Sequence, residues 1–430
     1  GVPITADDVR WTWQAQTYPG VAWTSSFMKE SIRDVEVVDP HTVRFHFSRA
    51  YAKQLLDANE GVILPKHVWS KLPFEKWRDN GDWFRQNMVV SGPFKLESWT
   101  PQQQIVLARN ERFYDKDANG VPLPYLDRVV IRIIPEQSNQ ITQLLSGQVD
   151  FVTNLLPRDA ERLAARSDLE LLSFWHRLYV AVFWNNDHPL FKDPEVRRAL
   201  TLALDRQSIV DTLWGPYARV AVSPIIAGVW AHDTTLEPWP YDPVEARRIL
   251  AARGWRDTDG DGVLDRNGER FAFELTTNAG NQPRIDTMVI LQEQLKRVGV
   301  VVEPRVLEFH TLVHQNNTGQ YDATLLGVGM DTSLDLRYGF HSDSIPTGGD
   351  NFARYRNPEV DRLIDLAANQ LEITDSAVYL RQIQQIIHRD QPLTFLWESQ
   401  RLNAINRRIR GAKPNALFVL FDLEHWWRLP

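Results

Sequence analysis

The 430-residue sequence contains no cysteine, few methionines and no long apolar run. The absence of cysteine excludes disulfides, thiolate metal ligands and cysteine nucleophiles, although it does not fix the cellular compartment. No segment approaches the roughly 18 apolar residues that a membrane-spanning helix needs. Acidic residues outnumber basic ones by 55 to 48, and the net charge of −7 argues against a nucleic-acid partner.

What is present is a mixture of helical and strand-like segments. The length allows two or three domains, each with its own core. Asp193 and Pro194 begin the clearest helix, whose apolar positions follow helical spacing, and Asp205 begins the next helix. The almost wholly apolar run 178–184 predicts a strand covered on both faces, and the aromatic segment 417–427 predicts another strand. The mixture indicates an α/β or α+β protein.

Several short motifs follow one another along the chain. They are 4–9 (ITADDV), 91–99 (SGPFKLESW), 124–130 (PYLDRVV), 146–150 (SGQVD), 185–205 with its core PLFKDPEVRRALTLALD, Tyr321-Asp322, Asp331, Asn351 and 355–361 (YRNPEVD). Each motif alone is weak, but their order and spacing cover essentially the whole chain. In this order they resemble the family 5 extracellular solute-binding proteins, the receptors of ABC importers for oligopeptides, dipeptides, nickel and oligosaccharides.

The resemblance implies an α/β, two-lobed periplasmic-binding-protein-like fold of type II, cluster C-like, with an extra small domain. Mapped onto this chain, 1–90 is the small domain, 91–180 with 410–430 the first lobe, and 186–405 the second lobe. The hinges fall near 181–186 and 405–410, and the ligand is expected between the lobes. Family members carry a further stretch before the ITADDV motif, so we expect the N-terminal part of the first lobe to be missing here.

The implied function is that of a non-catalytic receptor, which captures a solute and delivers it to an ABC permease in the membrane. The family favours an oligopeptide or peptide-like ligand, and the runner-up is an oligosaccharide. A remote alternative is a glycoside hydrolase with Asp331 and Glu398 as its paired carboxylates. We expect a monomer without a required cofactor, in the periplasm or outside the cell, and anchored by lipid if a segment absent from this chain carries the anchor.

Polar ligand contacts are predicted at Asp331, Asn316 and Asn351. In peptide-binding relatives, the carboxylate at the place of Asp331 holds the ligand's α-ammonium, whereas the structural alternative is an aspartate that caps a turn. Long-peptide binders present basic side chains where this sequence has Asn316, Asn317 and Leu325. That difference weakens the oligopeptide interpretation, because asparagine suits sugar hydroxyls better than a lone carboxylate. Asn351, from the last family motif, is a further candidate.

Aromatic ligand contacts are predicted near the expected hinge and cleft, because the chain has 16 tryptophans and aromatic faces stack on sugar rings or line side-chain pockets. The candidates are Trp175, Trp184, Trp214 and Trp230, with Asn185 beside the hinge. Trp184 is the preferred candidate. The alternative for each tryptophan is a place in the core.

A loop rich in aspartate resembles the first nine positions of an EF-hand calcium loop. Its ligands would be the carboxylates of Asp257, Asp259, Asp261 and Asp265 with the carbonyl of Val263, and they predict a structural calcium ion. The bidentate glutamate expected at the twelfth position is replaced by Gly268. The alternative is an aspartate-rich surface turn without metal.

Overall fold

The computed structural model describes residues 1–330, 332–345 and 349–429. The predicted ligand residue Asp331 lies outside this part of the chain. The described residues form two compact units. Unit 1 contains Gly1–Val152, Arg166–Glu170 and Ala404–Pro430, and unit 2 contains Thr153–Ala165 and Leu171–Asn403. The predicted subdivision into a small domain and two lobes, with its hinges, stays a prediction.

Helices and strands are mixed along the chain, as the sequence predicts. The α-helices are α1 Ala6–Thr17, α2 Gln54–Asn59, α3 Lys66–Trp69, α4 Gly81–Gln86, α5 Gln137–Leu145, α6 Pro157–Ala164, α7 Pro194–Leu202, α8 Arg206–Leu213, α9 Pro243–Ala252, α10 Gln282–Lys296, α11 Phe309–Thr318, α12 Arg337–Phe340, α13 Pro358–Ala368 and α14 Ala377–Asp390. The strands are β1 Ile32–Asp39, β2 Thr42–Phe47, β3 Phe94–Thr100, β4 Gln104–Arg109, β5 Arg128–Arg132, β6 Phe151–Val152, β7 Leu169–Trp184, β8 Ala218–Val220, β9 Asp265–Arg266, β10 Glu269–Arg270, β11 Ala272–Asn278, β12 Val301–Leu307, β13 Ala323–Gly329, β14 Leu393–Asn406, β15 Ile409–Arg410 and β16 Trp427–Arg428.

Unit 1 is built from small antiparallel sheets and short helices. β1 and β2 form a hairpin, and β3, β4 and β5 form a three-stranded sheet. Helix α1 begins with a capping box, in which the backbone N–H of Thr5 donates to the carboxylate of Asp8 at 2.8 Å. Trp11 and Trp77 pack edge to face in the core beside α1.

Unit 2 is organised around one mixed sheet. Its strand order is β12, β11, β13, β7 and β14, and β8 also pairs with β14. β11 runs parallel to both of its neighbours, whereas β13 pairs antiparallel with β7 in the register Ala323 to Trp184 and Thr324 to Phe183. The last residues of β14 belong to unit 1, where Ala404 pairs with Val152.

The helices of the clearest sequence signal begin where the sequence predicts. The carboxylate of Asp193 accepts the backbone N–H of Glu195 at 2.9 Å, and the carboxylate of Asp205 accepts that of Ser208 at 3.0 Å. These caps satisfy backbone donors that have no partner inside the helix, which explains why α7 begins after Asp193 and α8 after Asp205. The prediction of two consecutive helices is confirmed.

The prediction of a strand over 417–427 is wrong. Only Trp427 and Arg428 pair in a ribbon there, with β15. The carboxamide of Asn415 accepts the backbone N–H groups of Leu417 and Phe418, which turns the chain back on itself. A local hydrogen bond from a polar side chain therefore outweighs the strand preference of the aromatic residues that follow.

Candidate functional site

Strand β7 separates two hydrophobic cores in unit 2. Its side chains alternate, so that Val180, Val182 and Trp184 enter one core while Tyr179 and Phe183 enter the other. We call the side of the sheet that Trp184 enters the sealed face, and the side that Phe183 enters the open face. Both faces are covered, as predicted for a nearly all-apolar strand.

The open face contains a cavity of about 140 Å³ where β13 ends. Its lining is mostly apolar. It includes Tyr179 and Phe183 from β7, Ile225 from the loop after β8, Val328 from the end of β13 and Met330 directly after that strand. Asp335 and Asp350 add two carboxylates to the lining. A dry cavity of about 150 Å³ is large enough for benzene, so this cavity matches one apolar side chain in size.

The loop that lines the cavity with Pro224 and Ile225 also contacts an ion pair whose carboxylate is buried and whose guanidinium is partly exposed. The guanidinium of Arg219 on β8 donates through Nε to the carboxylate of Glu398 on β14 at 2.8 Å, because the two residues are direct cross-strand partners. The backbone N–H of Ala227 also donates to this carboxylate at 3.2 Å. Burial raises the pKa of Glu398, while the charge of Arg219 opposes that rise. The indole of Trp175 stacks on the guanidinium, 4.0 Å from its carbon.

The structure places the predicted tryptophans in different surroundings. Trp184 is 1% exposed on the sealed face, where its indole N–H donates to the hydroxyl of Thr394 at 3.0 Å. Trp214 is half-buried and packs on Trp397. Trp230 is exposed, and Trp175 takes part in the arginine stack. Trp175 therefore lies beside an ion pair, and Trp214 lines a separate cavity of about 330 Å³ together with Arg158 and Asp211. The ligand contacts of all four tryptophans stay predictions.

The predicted asparagines are buried, and two of them donate hydrogen bonds to backbone carbonyls. The amide of Asn185 donates to the carbonyl of Tyr321 at 2.8 Å, and that of Asn351 donates to the carbonyl of Tyr355 at 2.9 Å. Asn316 is 1% exposed, and its carboxamide has no hydrogen-bond partner among the described residues. The structure thus gives Asn185 and Asn351 a role in fastening loops, and their contact with a ligand stays a prediction.

The aspartate-rich loop brings three of its predicted ligands together. One carboxylate oxygen from each of Asp257, Asp259 and Asp261 lies within 4.8 Å of the others, and all three residues are exposed. Asp265 is not part of this group of three, and its carboxylate accepts the backbone N–H of Thr258 at 2.9 Å. The backbone N–H of Val263 donates to Asp261 at 2.8 Å. Calcium binding at this loop stays a prediction.

Arg219 was not among the residues predicted from the sequence, and Glu398 was considered only as one of the paired carboxylates of a glycoside hydrolase. Arg219 lies in a short strand without a recognisable motif, and its partner follows 179 positions later. No local pattern indicates which strands of a mixed sheet become neighbours over such a distance. The carboxylate of Glu398 is 2% exposed and already paired, which does not suit a group that must reach a glycosidic bond.

A mixed sheet covered on both faces, with an apolar cavity at a strand end, defines an α/β ligand-binding protein. The bacterial extracellular solute-binding proteins, family 5 (middle region), match residues 1–348. The oligopeptide-binding protein AppA of Bacillus subtilis is 33% identical over 99% of this chain and 78% of its own length. The probable D,D-dipeptide-binding periplasmic protein DdpA of Escherichia coli is 25% identical over 96% of this chain and 76% of its own length.

The fold is that of solved structures of the same kind. The structure of AppA from Bacillus subtilis in complex with a nonapeptide superposes with a TM-score of 0.86 and 32% identity, covering 100% of this chain and 84% of that one. The chain belongs to family 5 of the bacterial extracellular solute-binding proteins. The predicted two-lobed α/β fold and the predicted family are confirmed.

Family membership also decides between a receptor and an enzyme. The family consists of solute-binding proteins, and the prediction that this chain is not an enzyme is confirmed by that membership. The family is extracellular, which agrees with the predicted localisation outside the cytoplasm. Across residues 1–330, 332–345 and 349–429, none of the helices combines the length and the apolar character of a membrane span.

Proposed function

We propose that this protein binds a peptide or a peptide-like solute and passes it unaltered to the permease of an ABC importer. The observation that carries the proposal is the apolar cavity at the end of β13, in a chain of a solute-binding family. The relatives AppA and DdpA are named for oligopeptide and D,D-dipeptide binding, which supports a ligand of the same chemistry.

The lining of the cavity favours a peptide over an oligosaccharide. Most of the lining, including Phe183, Ile225 and Val328, presents carbon to the cavity, and the carboxylates of Asp335 and Asp350 are among its few polar groups. A sugar ring carries several hydroxyl groups, and each of them needs a polar partner when it is buried. An apolar side chain of a peptide gains free energy from the same surface, at about 25 cal/mol for each Å² removed from water. The ligand we infer therefore carries at least one apolar side chain.

Filling the cavity tests this proposal. Val328→Phe adds a ring to the lining, so we expect the affinity for a captured peptide to fall at least tenfold, because ring and ligand side chain compete for one space. The control is Val306→Phe, since Val306 is 43% exposed on β12. Peptides are first selected by native mass spectrometry from a random hexapeptide pool, with a pool of oligosaccharides in parallel, and then titrated by calorimetry.

Two results contradict the proposal. One is capture of an oligosaccharide but of no peptide by the unaltered protein. The other is an equal peptide affinity for Val328→Phe and Val306→Phe. The same proposal includes residence in the periplasm or outside the cell, lipid anchoring and a monomeric state. Whether the native protein is found in the membrane fraction or in the soluble fraction tests its location and its anchoring. Its sedimentation rate tests the monomeric state.

A further inference from the structure

Arg219 is held in one orientation by three groups. Its Nε and Nη2 atoms lie 2.8 Å from the same carboxylate oxygen of Glu398, and Nη2 also donates to the carbonyl of Ala227 at 2.7 Å. Trp175 covers one face of the guanidinium plane. A side chain fixed in this way loses little conformational entropy when a ligand binds to it.

The two partners of the ion pair differ in their exposure. The side chain of Glu398 is 2% exposed, whereas that of Arg219 is 38% exposed. The negative charge is thus enclosed by the protein, while the positive charge faces outward. A ligand that approaches this place meets a guanidinium and not a carboxylate.

Part of the hydrogen-bonding capacity of Arg219 is unused. A guanidinium has five N–H donors, and the recorded bonds involve Nε and Nη2. Among the described residues, no group accepts a hydrogen bond from Nη1 of Arg219. This situation differs from that of the buried Arg197, whose Nε, Nη1 and Nη2 all donate to backbone carbonyls.

We propose that Arg219 is the anchor for a carboxylate of the ligand, with Glu398 and Trp175 as the residues that position it. This inference rests on the proposed peptide ligand and adds a second contact to it. The loop that follows β8 links the two contacts, because Pro224 and Ile225 line the cavity while Ala227 holds Arg219. Charge-assisted bonds from a guanidinium to a carboxylate are among the strong ones in proteins.

The test removes the charge of the ligand and that of the protein separately. The peptide selected from the hexapeptide pool is synthesised with a free C-terminal carboxylate, as its C-terminal amide, and as an amide with one internal glutamate. Each form is titrated into the unaltered protein and into Arg219→Gln/Glu398→Gln. The double substitution avoids a buried carboxylate without its cation, which the single substitution would leave. The control Arg305→Gln/Glu274→Gln removes an exposed cross-strand ion pair of the same sheet.

We expect the free acid to bind about tenfold to a hundredfold more tightly than the amide. This difference disappears in the double variant and persists in the control. Tight binding of the glutamate-containing amide identifies a side chain as the source of the carboxylate. Equal affinities for the free acid, the amide and the glutamate-containing amide in the unaltered protein, or a preference that survives in the double variant, overturn the role of Arg219. Capture of no peptide at all contradicts the proposed function itself.

Discussion

Both faces of the sheet in unit 2 carry several aromatic residues, but they differ in what surrounds those residues. On the sealed face, Trp184 packs against Phe191 and Phe273, with ring centroids 4.9 and 5.7 Å apart. On the open face, Tyr179 and Phe183 border a cavity of about 140 Å³. Aromatic content alone therefore does not distinguish a packing surface from a binding surface.

Two arginines of unit 2, Arg197 and Arg219, also differ in what they leave accessible. Arg197 is 3% exposed, and its donors are used by the carbonyls of Phe191, Asp390 and Gln391. Burial lowers its pKa to about 10, yet the group stays charged at neutral pH. Arg219 is bound as firmly, but one edge of its guanidinium is exposed. Unused donors at an exposed edge, and not a positive charge as such, mark the candidate for ligand recognition.

The largest change in the free energy of unfolding is expected from a substitution that leaves a cavity in the core of the sealed face. Trp184→Ala removes a fully buried indole and its bond to Thr394, so we expect a loss of about 3–5 kcal/mol in the free energy of unfolding. The control Trp230→Ala changes a side chain that is 42% exposed, and a loss of less than about 1 kcal/mol is expected there. Urea denaturation measures both. Similar losses for the two variants would contradict the assignment of Trp184 to the core.

A smaller effect concerns pH. Burial and the nearby charge of Arg401 lower the pKa of His176 from 6.5 to about 4. The unfolded chain therefore binds more protons than the folded one between these values, and stability falls as the pH drops from about 6.5 to about 4. Partial solvent screening limits the loss to roughly 1–2 kcal/mol.

His176→Gln should flatten this part of the pH profile, because glutamine does not titrate. The matched control is His314→Gln, which replaces an exposed histidine. Urea denaturation between pH 4 and pH 7 gives both profiles. A slope that remains unchanged in His176→Gln would contradict the assignment of this pH dependence to His176.

The smallest effect is expected at the aspartate-rich loop. If calcium binds, the free energy of unfolding rises by about 1 kcal/mol at calcium concentrations near ten times the dissociation constant. Asp259→Ala should abolish that gain, and Glu293→Ala, at an exposed acidic residue of α10, should preserve it. Calorimetry that shows no heat on addition of calcium to the unaltered protein would contradict the predicted site.

Local signals in the sequence predicted much of the fold. The helix caps at Asp193 and Asp205 depend on backbone groups only two or three residues away. The apolar composition of the end of β7 indicates, without further information, that both of its faces are covered. Family motifs supplied the architecture. What local signals cannot supply is which distant strands become neighbours, so the pairing of Arg219 with Glu398 was not foreseen.

The predicted site shows the same limit. Asn185 and Trp184 were selected because they lie next to the expected hinge in the sequence, yet Trp184 is the last residue of β7 and Asn185 belongs to the loop that follows it. Trp184 enters the sealed face, and the carboxamide of Asn185 holds the loop at Tyr321. Proximity in sequence therefore selected residues that support the site region without showing which side chains face a solute.

The central claim is that the cavity of the open face receives a side chain of a peptide that is bound and released unaltered. Calorimetric titration of the selected peptide into the unaltered protein, Val328→Phe and Val306→Phe, with mass spectrometry of the peptide afterwards, tests it most directly. We predict an intact peptide throughout and an affinity at least tenfold lower for Val328→Phe alone. Cleaved peptide, or equal affinities in all three proteins, would contradict the claim.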